Sequence, residues 1–211
     1  MELYKIRNNY LKGMLNETNL HKNPFDQFEV WMQDVLKSGI EEPGAMALAT
    51  ADAFGKPSVR IVLLKHYDHN GFRFFTNYSS RKGAHLEVNN YASILFYWQQ
   101  LERQIHIEGP VFKLSPIESE TYFASRPRNS NIAAVASPQS QFIRDREFLE
   151  NRVAYLSKKL EKRSIPRPED WGGYRLKPDY FEFWQGRENR LHDRFRYARI
   201  DGQWKINRIA P

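Results

Sequence analysis

With 211 residues and no cysteine, the chain is long enough to bury a proper core, and it can carry neither a disulfide framework nor a thiolate-bound metal. Its formal net charge of +7 points to anionic partners, but the cations come in separated pairs rather than blocks. That distribution, without helix-turn-helix or zinc-finger spacing, favours small phosphorylated ligands over nucleic acid, and no run nears the ~18 apolar residues of a membrane span.

Residues 1–22 are polar and weakly patterned, and they read as an arm on a single domain spanning 23–211. No apolar segment of the signal-peptide kind opens the chain, so a soluble, cytoplasmic protein without membrane partners is expected. Asn23 as N-cap and Pro24 as first residue then open a helix. Phe25, Phe28, Trp31, Met32, Val35 and Leu36 form its apolar stripe, and Gly39 closes it.

From Gly44 the apolar period changes to two. Residues 45–51, 58–64 and 72–76 predict three strands, joined through 52–57 and through Asp68-His69-Asn70-Gly71, where Asn-Gly suits a type I′ hairpin. The middle strand ends Arg60-Ile61-Val62-Leu63-Leu64-Lys65, an apolar run whose two flanking cations need water or an anion. Asn77 to Gly83 opens a helix running to about residue 89. Arg81 and Lys82 in its first turn oppose the helix dipole by about 0.3–1 kcal/mol each. They are tolerable if they fan into solvent, and favourable where a phosphate takes the helix N–H groups and both cations together.

Strands resume at 91–98 and 104–114, and Ser115-Pro116-Ile117-Glu118 is a capping box with Pro at the first helical position. Tyr122 and Arg126, four apart, share a face at the end of that helix. The chain breaks at 126–130 and 137–140, then predicts a charged helix over 144–163 with Phe148, Val153, Leu156 and Leu160 inward. Ile165-Pro166-Arg167-Pro168 stops it, and strands follow at 180–185, 190–197 and, after the Asp201-Gly202 turn, 204–209. About eight hairpin-linked strands with helices around them predict a mainly β (α+β) fold, an antiparallel closed barrel with peripheral helices.

The most informative stretch is the hairpin Phe181 to Arg194, with a loop at Gln185–Asn189. A strand starting at Arg190 puts Arg190, His192 and Arg194 on one face. Two guanidiniums flanking an imidazole can hold an anionic, planar ligand, although a plain solvated strand face has the same pattern. The six histidines are scattered and no metal is expected. Neither G-x-G-x-x-G nor a P-loop occurs, so a nucleotide-like cofactor would need another kind of fold.

This hairpin resembles the C-terminal signature of the pyridoxine/pyridoxamine 5′-phosphate oxidase family. The signature is an apolar residue, Glu, an aromatic, Trp-Gln, four variable residues and Arg-Leu-His-Asp-Arg, and Phe181 to Arg194 fills every fixed position. Arg187 and Glu188 fall at variable positions. The similarity runs from Pro24 to Pro211 and more loosely through the arm, where Arg7 and Tyr10 keep an Arg-x-x-Tyr spacing. It implies a split β-barrel that binds FMN and forms a homodimer with its sites at the subunit interface. Arg60, Ile61, Val62, Leu63, Leu64, Lys65, Phe75, Thr76, Arg81 and Lys82 are implied on the FMN side. Gln104, Gln139, Ser140, Trp184 and Arg194 complete that side, some of them from the partner subunit.

The substrate phosphate is implied to lie against Lys65, Tyr122, Arg126 and Ser130, with Arg190 and His192 as catalytic residues facing the pyridine ring and Arg7 and Tyr10 covering it. The implied activity is oxidation of pyridoxine or pyridoxamine 5′-phosphate to pyridoxal 5′-phosphate, with dioxygen reduced to hydrogen peroxide and ammonia released from the amine. A split-barrel flavoprotein with another substrate is the nearest rival reading, and a basic nucleic-acid-binding barrel the more distant one.

Overall fold

The computed structural model describes residues 2–5 and 9–211. Its frame is a ten-stranded antiparallel sheet. The strands are β1 (Ala45–Ala51), β2 (Pro57–Leu63), β3 (His66–Asp68), β4 (Gly71–Asn77), β5 (Tyr91–Trp98), β6 (Arg103–Lys113), β7 (Trp171–Leu176), β8 (Tyr180–Gln185), β9 (Asp193–Ile200) and β10 (Gln203–Arg208). Pairing runs β10-β9-β8-β6-β5-β1-β2, and β7 joins the far end of β6 to β4 and β3. The long β6 therefore serves two stacks: its first part pairs with β5 and β8, and Val111–Lys113 pair with β7. The sheet curls into a barrel left split where β2 and β4 lie side by side without a ladder.

The helices are α1 (Pro24–Lys37), α2 (Arg81–Val88), α3 (Pro116–Ser125), α4 (Arg128–Ala136) and α5 (Arg146–Lys159). Asn23 caps α1 through its side chain with Pro24 in the first turn, and Gly39 leaves it at φ +77°. The apolar stripe of α1 fills the curled sheet. Phe28 lies edge-on to Phe72 at 4.9 Å and to Phe96 at 5.4 Å, and Trp31 meets Phe183 at 5.3 Å. Phe28, Phe72, Phe74, Phe96, Phe181 and Phe183 are all fully buried, each contributing about 1.5–3 kcal/mol of burial free energy. Leu36, expected on that stripe, is exposed.

Several elements differ from the sequence expectation. Strands β3 and β7 and helix α4 appear where the sequence predicted none, and α5 is shorter than 144–163, capped by the Asp145 side chain. The β3–β4 loop is His69–Asn70, since Asp68 pairs with Gly71; Asn-Gly is not the centre of a type I′ turn. The β8–β9 loop runs from Gly186 to His192, because Gln185 pairs with Asp193. Arg190 is therefore not on a strand. It ends a single 3-10 turn, Glu188–Arg190, in which Asn189 and Arg190 both take left-handed backbone, φ 54° and 61°. The expected single face of Arg190, His192 and Arg194 gives way to a loop that aims the first two independently of the strand.

Candidate active site

A cavity of about 530 Å³ lies between the Arg60–Lys65 segment, β4, the start of α2, and the α3–α4 pair. Arg60, Lys65, Lys82 and Arg126 line it, and no carboxylate does. Among the described residues none of these four cations forms an ion pair. Clustered cations lacking a counter-ion repel one another, and an anion in the cavity relieves that.

Three of the four cations are held by local structure, and Lys65 is exposed. Arg60 reaches from β2 across β1, donating from Nη1 to Leu48 O at 3.0 Å and Thr50 Oγ1 at 2.8 Å, and from Nη2 to Ser58 Oγ at 2.8 Å. Ser80 caps α2, so Lys82 falls in the first turn and its side chain turns inward. The buried Lys82 Nζ donates to Thr76 Oγ1 at 3.0 Å and to Gln139 Oε1 at 2.9 Å. Burial, and then the Arg60 charge, bring its pKa down to about 8. Arg126 sits at the C-cap of α3, where its guanidinium lies 4.6 Å from the Trp171 ring centre. Nη2 donates to Ser130 O at 3.2 Å, but Nη1 is buried with no partner. Burial lowers the Arg126 pKa, with Tyr122 acting the other way. Tyr122 stacks on Phe75 at 3.8 Å, giving the cavity an aromatic wall.

Of the FMN-side residues expected from sequence, Arg60, Ile61, Val62, Leu63, Lys65, Phe75, Thr76, Lys82 and Gln139 line this cavity. So do Tyr122, Arg126 and Ser130 from the substrate side. Leu64 instead packs on the core, Arg81 is exposed at the helix start, and Ser140 lies just beyond the lining with left-handed backbone, φ 69°. Trp171, Ala133 and Ala134 also line the cavity and were not expected. The two alanines belong to α4, whose apolar periodicity is weak, and Trp171 opens β7.

The remaining expected residues form a second cluster. Gln104, Trp184 and Arg194 lie side by side in register across β6, β8 and β9. Arg194 Nε donates to Glu182 Oε1 at 2.7 Å and Nη1 to Ala210 O at 2.8 Å. The His192 ring lies 4.7 Å from that of Trp184, and Tyr10 from the arm meets both rings edge-on at 5.4 and 5.7 Å. Arg190 is exposed beside them, and Arg7 lies outside the described residues. From β2 to β8 is four strand steps, roughly 19 Å. One chain thus carries two separate clusters of the expected residues. On β2, Val59 and Ile61 are each 67% exposed.

A carboxylate-free cationic cavity and an Arg/His/Trp cluster on a split antiparallel barrel define a split-barrel protein with a cavity suited to anions. Comparison with known proteins makes the class specific. Residues 32–159 match the family described as pyridoxamine 5′-phosphate oxidase, and residues 171–211 the pyridoxine 5′-phosphate oxidase C-terminal dimerisation region. The chain is 49% identical over 211 residues, covering both chains fully, to the pyridoxine/pyridoxamine 5′-phosphate oxidase of Vibrio parahaemolyticus. It is 51% identical to that of Paraburkholderia phytofirmans, covering 99% of each chain. Among solved structures it is similar to PhzG from Burkholderia lata 383, in complex with tetrahydrophenazine-1-carboxylic acid, at TM-score 0.91 and 32% identity, covering 96% of this chain and 100% of that one. The chain belongs to the pyridoxamine 5′-phosphate oxidase family.

Proposed function

We propose that this chain oxidises pyridoxine 5′-phosphate and pyridoxamine 5′-phosphate to pyridoxal 5′-phosphate, as a homodimer with FMN at the subunit interface. The observation that carries the reading is the cavity with four cations and no carboxylate, in which the buried Arg126 Nη1 lacks a partner. Two phosphorylated ligands, cofactor and substrate, match that excess of positive charge. Lys82, Arg60 and Thr76 would hold the FMN phosphate, and Lys65, Arg126 and Ser130 the substrate phosphate. Residues 23–211 form the cofactor-binding unit in this reading, and 1–22 its arm.

When bound, FMN supplies the hydride acceptor for the substrate C4′ carbon and passes the electrons to dioxygen, giving hydrogen peroxide. The chain's own part is binding and orientation. The phosphate clamp fixes one end of the substrate, so the reacting end is held at a set distance from the cofactor. Arg190 and His192 of the partner subunit complete the site from above, since in one chain they lie about four strands away. Apolar Val59 and Ile61, exposed on β2, would be buried where two copies meet along that strand.

A second reading rests on the 32% identity to PhzG, whose structure holds a tricyclic carboxylic acid rather than a phosphate. One experiment separates the two. The purified protein is mixed anaerobically with pyridoxine 5′-phosphate and the flavin absorbance followed. Bleaching that air reverses, with peroxide formed, is the expected result. A yellow protein that does not bleach moves the substrate elsewhere, and a colourless protein that cannot take up FMN overturns the reading.

A further inference from the structure

Asp193 follows His192 in sequence, and its carboxylate joins three parts of the molecule: the arm, the β8–β9 loop and β10. Oδ2 accepts from the Leu15 N–H of the arm at 3.1 Å and from Nη1 of Arg187 in the β8–β9 loop at 3.2 Å. Oδ1 accepts from Nη1 of Arg208 on β10 at 2.7 Å. Burial alone would raise the Asp193 pKa, but the Arg208 bond, the Leu15 N–H and the two guanidiniums outweigh it and hold the carboxyl below its ordinary range.

Two of these links converge on His192. The main-chain N–H of Arg187 donates to His192 Nδ1 at 3.1 Å. That nitrogen is therefore the unprotonated one, and Nε2 carries the hydrogen. Leu15, 3% exposed, anchors the arm five residues beyond Tyr10, whose ring packs on that of His192. Lys12 adds a second anchor, its N–H donating to Glu102 Oε2 at 2.9 Å. Gly186 completes the fit, because a Cβ there would lie 2.8 Å from the Tyr10 side chain.

We propose that Asp193 and Arg187 are positioning residues, which lock His192 as the neutral Nε2–H tautomer and clasp the arm over it. His192 is then a fixed hydrogen-bond donor to the substrate ring, and it does not accept a proton through Nδ1. The proposal rests on the reading of this site as the oxidase centre, but the tautomer and the clasp are measurable without turnover. The groups facing the ring are Tyr10 from the arm, Trp184 from β8, and Arg190, Asp193 and Arg194 from its own segment. Burial first, then Arg190 and Arg194, lower the imidazole pKa and keep it neutral near pH 7, with Asp193 opposing.

The test uses full-length protein labelled with ¹⁵N-histidine, the His192 signals assigned with His192→Gln. The expected spectrum at neutral pH shows Nδ1 unprotonated and Nε2 protonated. An Nδ1–H tautomer or an imidazolium overturns the proposal. Asp193→Asn should give mixed tautomers and several-fold faster tryptic cleavage at Lys12, with kcat/KM lowered by about tenfold and FMN affinity unchanged. Asp193→Glu should recover part of each. Should Asp193→Asn not fold, Arg187→Met, at a partly exposed side chain, decides: tautomer and cleavage rate both as in the parent overturn the proposal, and a change in both supports it. His192→Gln, whose amide can stand in for Nε2–H, should keep more activity than His192→Asn.

Discussion

The two clusters use cations in opposite ways. In the cavity, Arg60, Lys65, Lys82 and Arg126 line open volume without any carboxylate, and Arg60, Lys82 and Arg126 are held by neutral oxygens and an aromatic ring. In the hairpin cluster, Arg187 and Arg208 pair with Asp193, and Arg194 pairs with Glu182. Only Arg190 of that cluster lacks an acidic partner among the described residues, and it sits on left-handed backbone. An unpaired, partly buried cation such as Arg126 is costly until an anion arrives, so the cavity is suited to one. A paired cation is already satisfied, and it spends its geometry on fixing neighbours. The first region is left open to an anion; the second aims side chains.

The sharpest way to break this contrast is to remove a cation from each region. Arg126→Ala deletes the guanidinium whose Nη1 has no protein partner, so KM for pyridoxine 5′-phosphate should rise about 10- to 100-fold. FMN affinity should stay within about twofold of the parent, measured by flavin fluorescence on titration. An unchanged KM would mean that the cavity does not hold the substrate phosphate. A second arm tests whether the half-sites come from different subunits. Assayed at substrate well below the parent KM, where each variant alone is weakly active, Arg126→Ala and Arg190→Ala should together recover about a quarter of parent activity when co-refolded, since half the dimers are mixed and each has one intact site. No recovery would put both half-sites in one chain.

The contrast also explains what the sequence made legible. Caps such as Asn23-Pro24 and Ser115 with Glu118 are local devices, and both occur where their residues say. Strand β7 escaped because it begins Trp171-Gly172-Gly173, and glycine has low strand propensity. Those glycines answer to tertiary packing: a Cβ on Gly172 would meet Tyr78 Oη at 2.1 Å, and one on Gly173 would meet Leu114 Cδ1 at 2.5 Å. Helix α4 starts behind Pro127 with no side-chain cap, so nothing announced it. The cavity residues were readable because regular elements present them. The aim of Arg190 was not, because no alternation pattern signals two successive left-handed residues.

A smaller effect should come from the support behind the cavity. Glu118, the N3 residue of α3, also lies 3.3 Å from Arg73 Nη1 and 3.2 Å from Arg175 Nη2, tying the helix to the β4–β7 pair. Tyr122 and Arg126 lie one and two turns further along. Glu118→Gln keeps the cap but removes both ion pairs, which are partly solvent-screened. Stability should fall by about 1 kcal/mol in urea unfolding, with KM raised no more than about threefold. A larger rise in KM than Arg126→Ala produces would make the support, not the cation, the determinant of binding.

The smallest effect concerns pH, and its sign follows from Lys82. The folded protein holds this lysine near pKa 8, against 10.5 ordinarily, because burial and Arg60 disfavour its charge. Between those two values the unfolded chain binds a proton that the folded chain has released, so ligand-free stability rises with pH across that window. Below about pH 8 both states are protonated and this contribution is gone. A phosphate beside Nζ favours the charged form, lifts the folded pKa and flattens the slope. Urea unfolding of the apoprotein from about pH 7 to 11, with and without saturating inorganic phosphate, should show the slope and its loss, and Lys82→Met should lack it under both conditions. The same slope in Lys82→Met would assign the titration to another group. The hairpin cluster should contribute no such phosphate-dependent slope, because Arg187, Arg194 and Arg208 already have their anions.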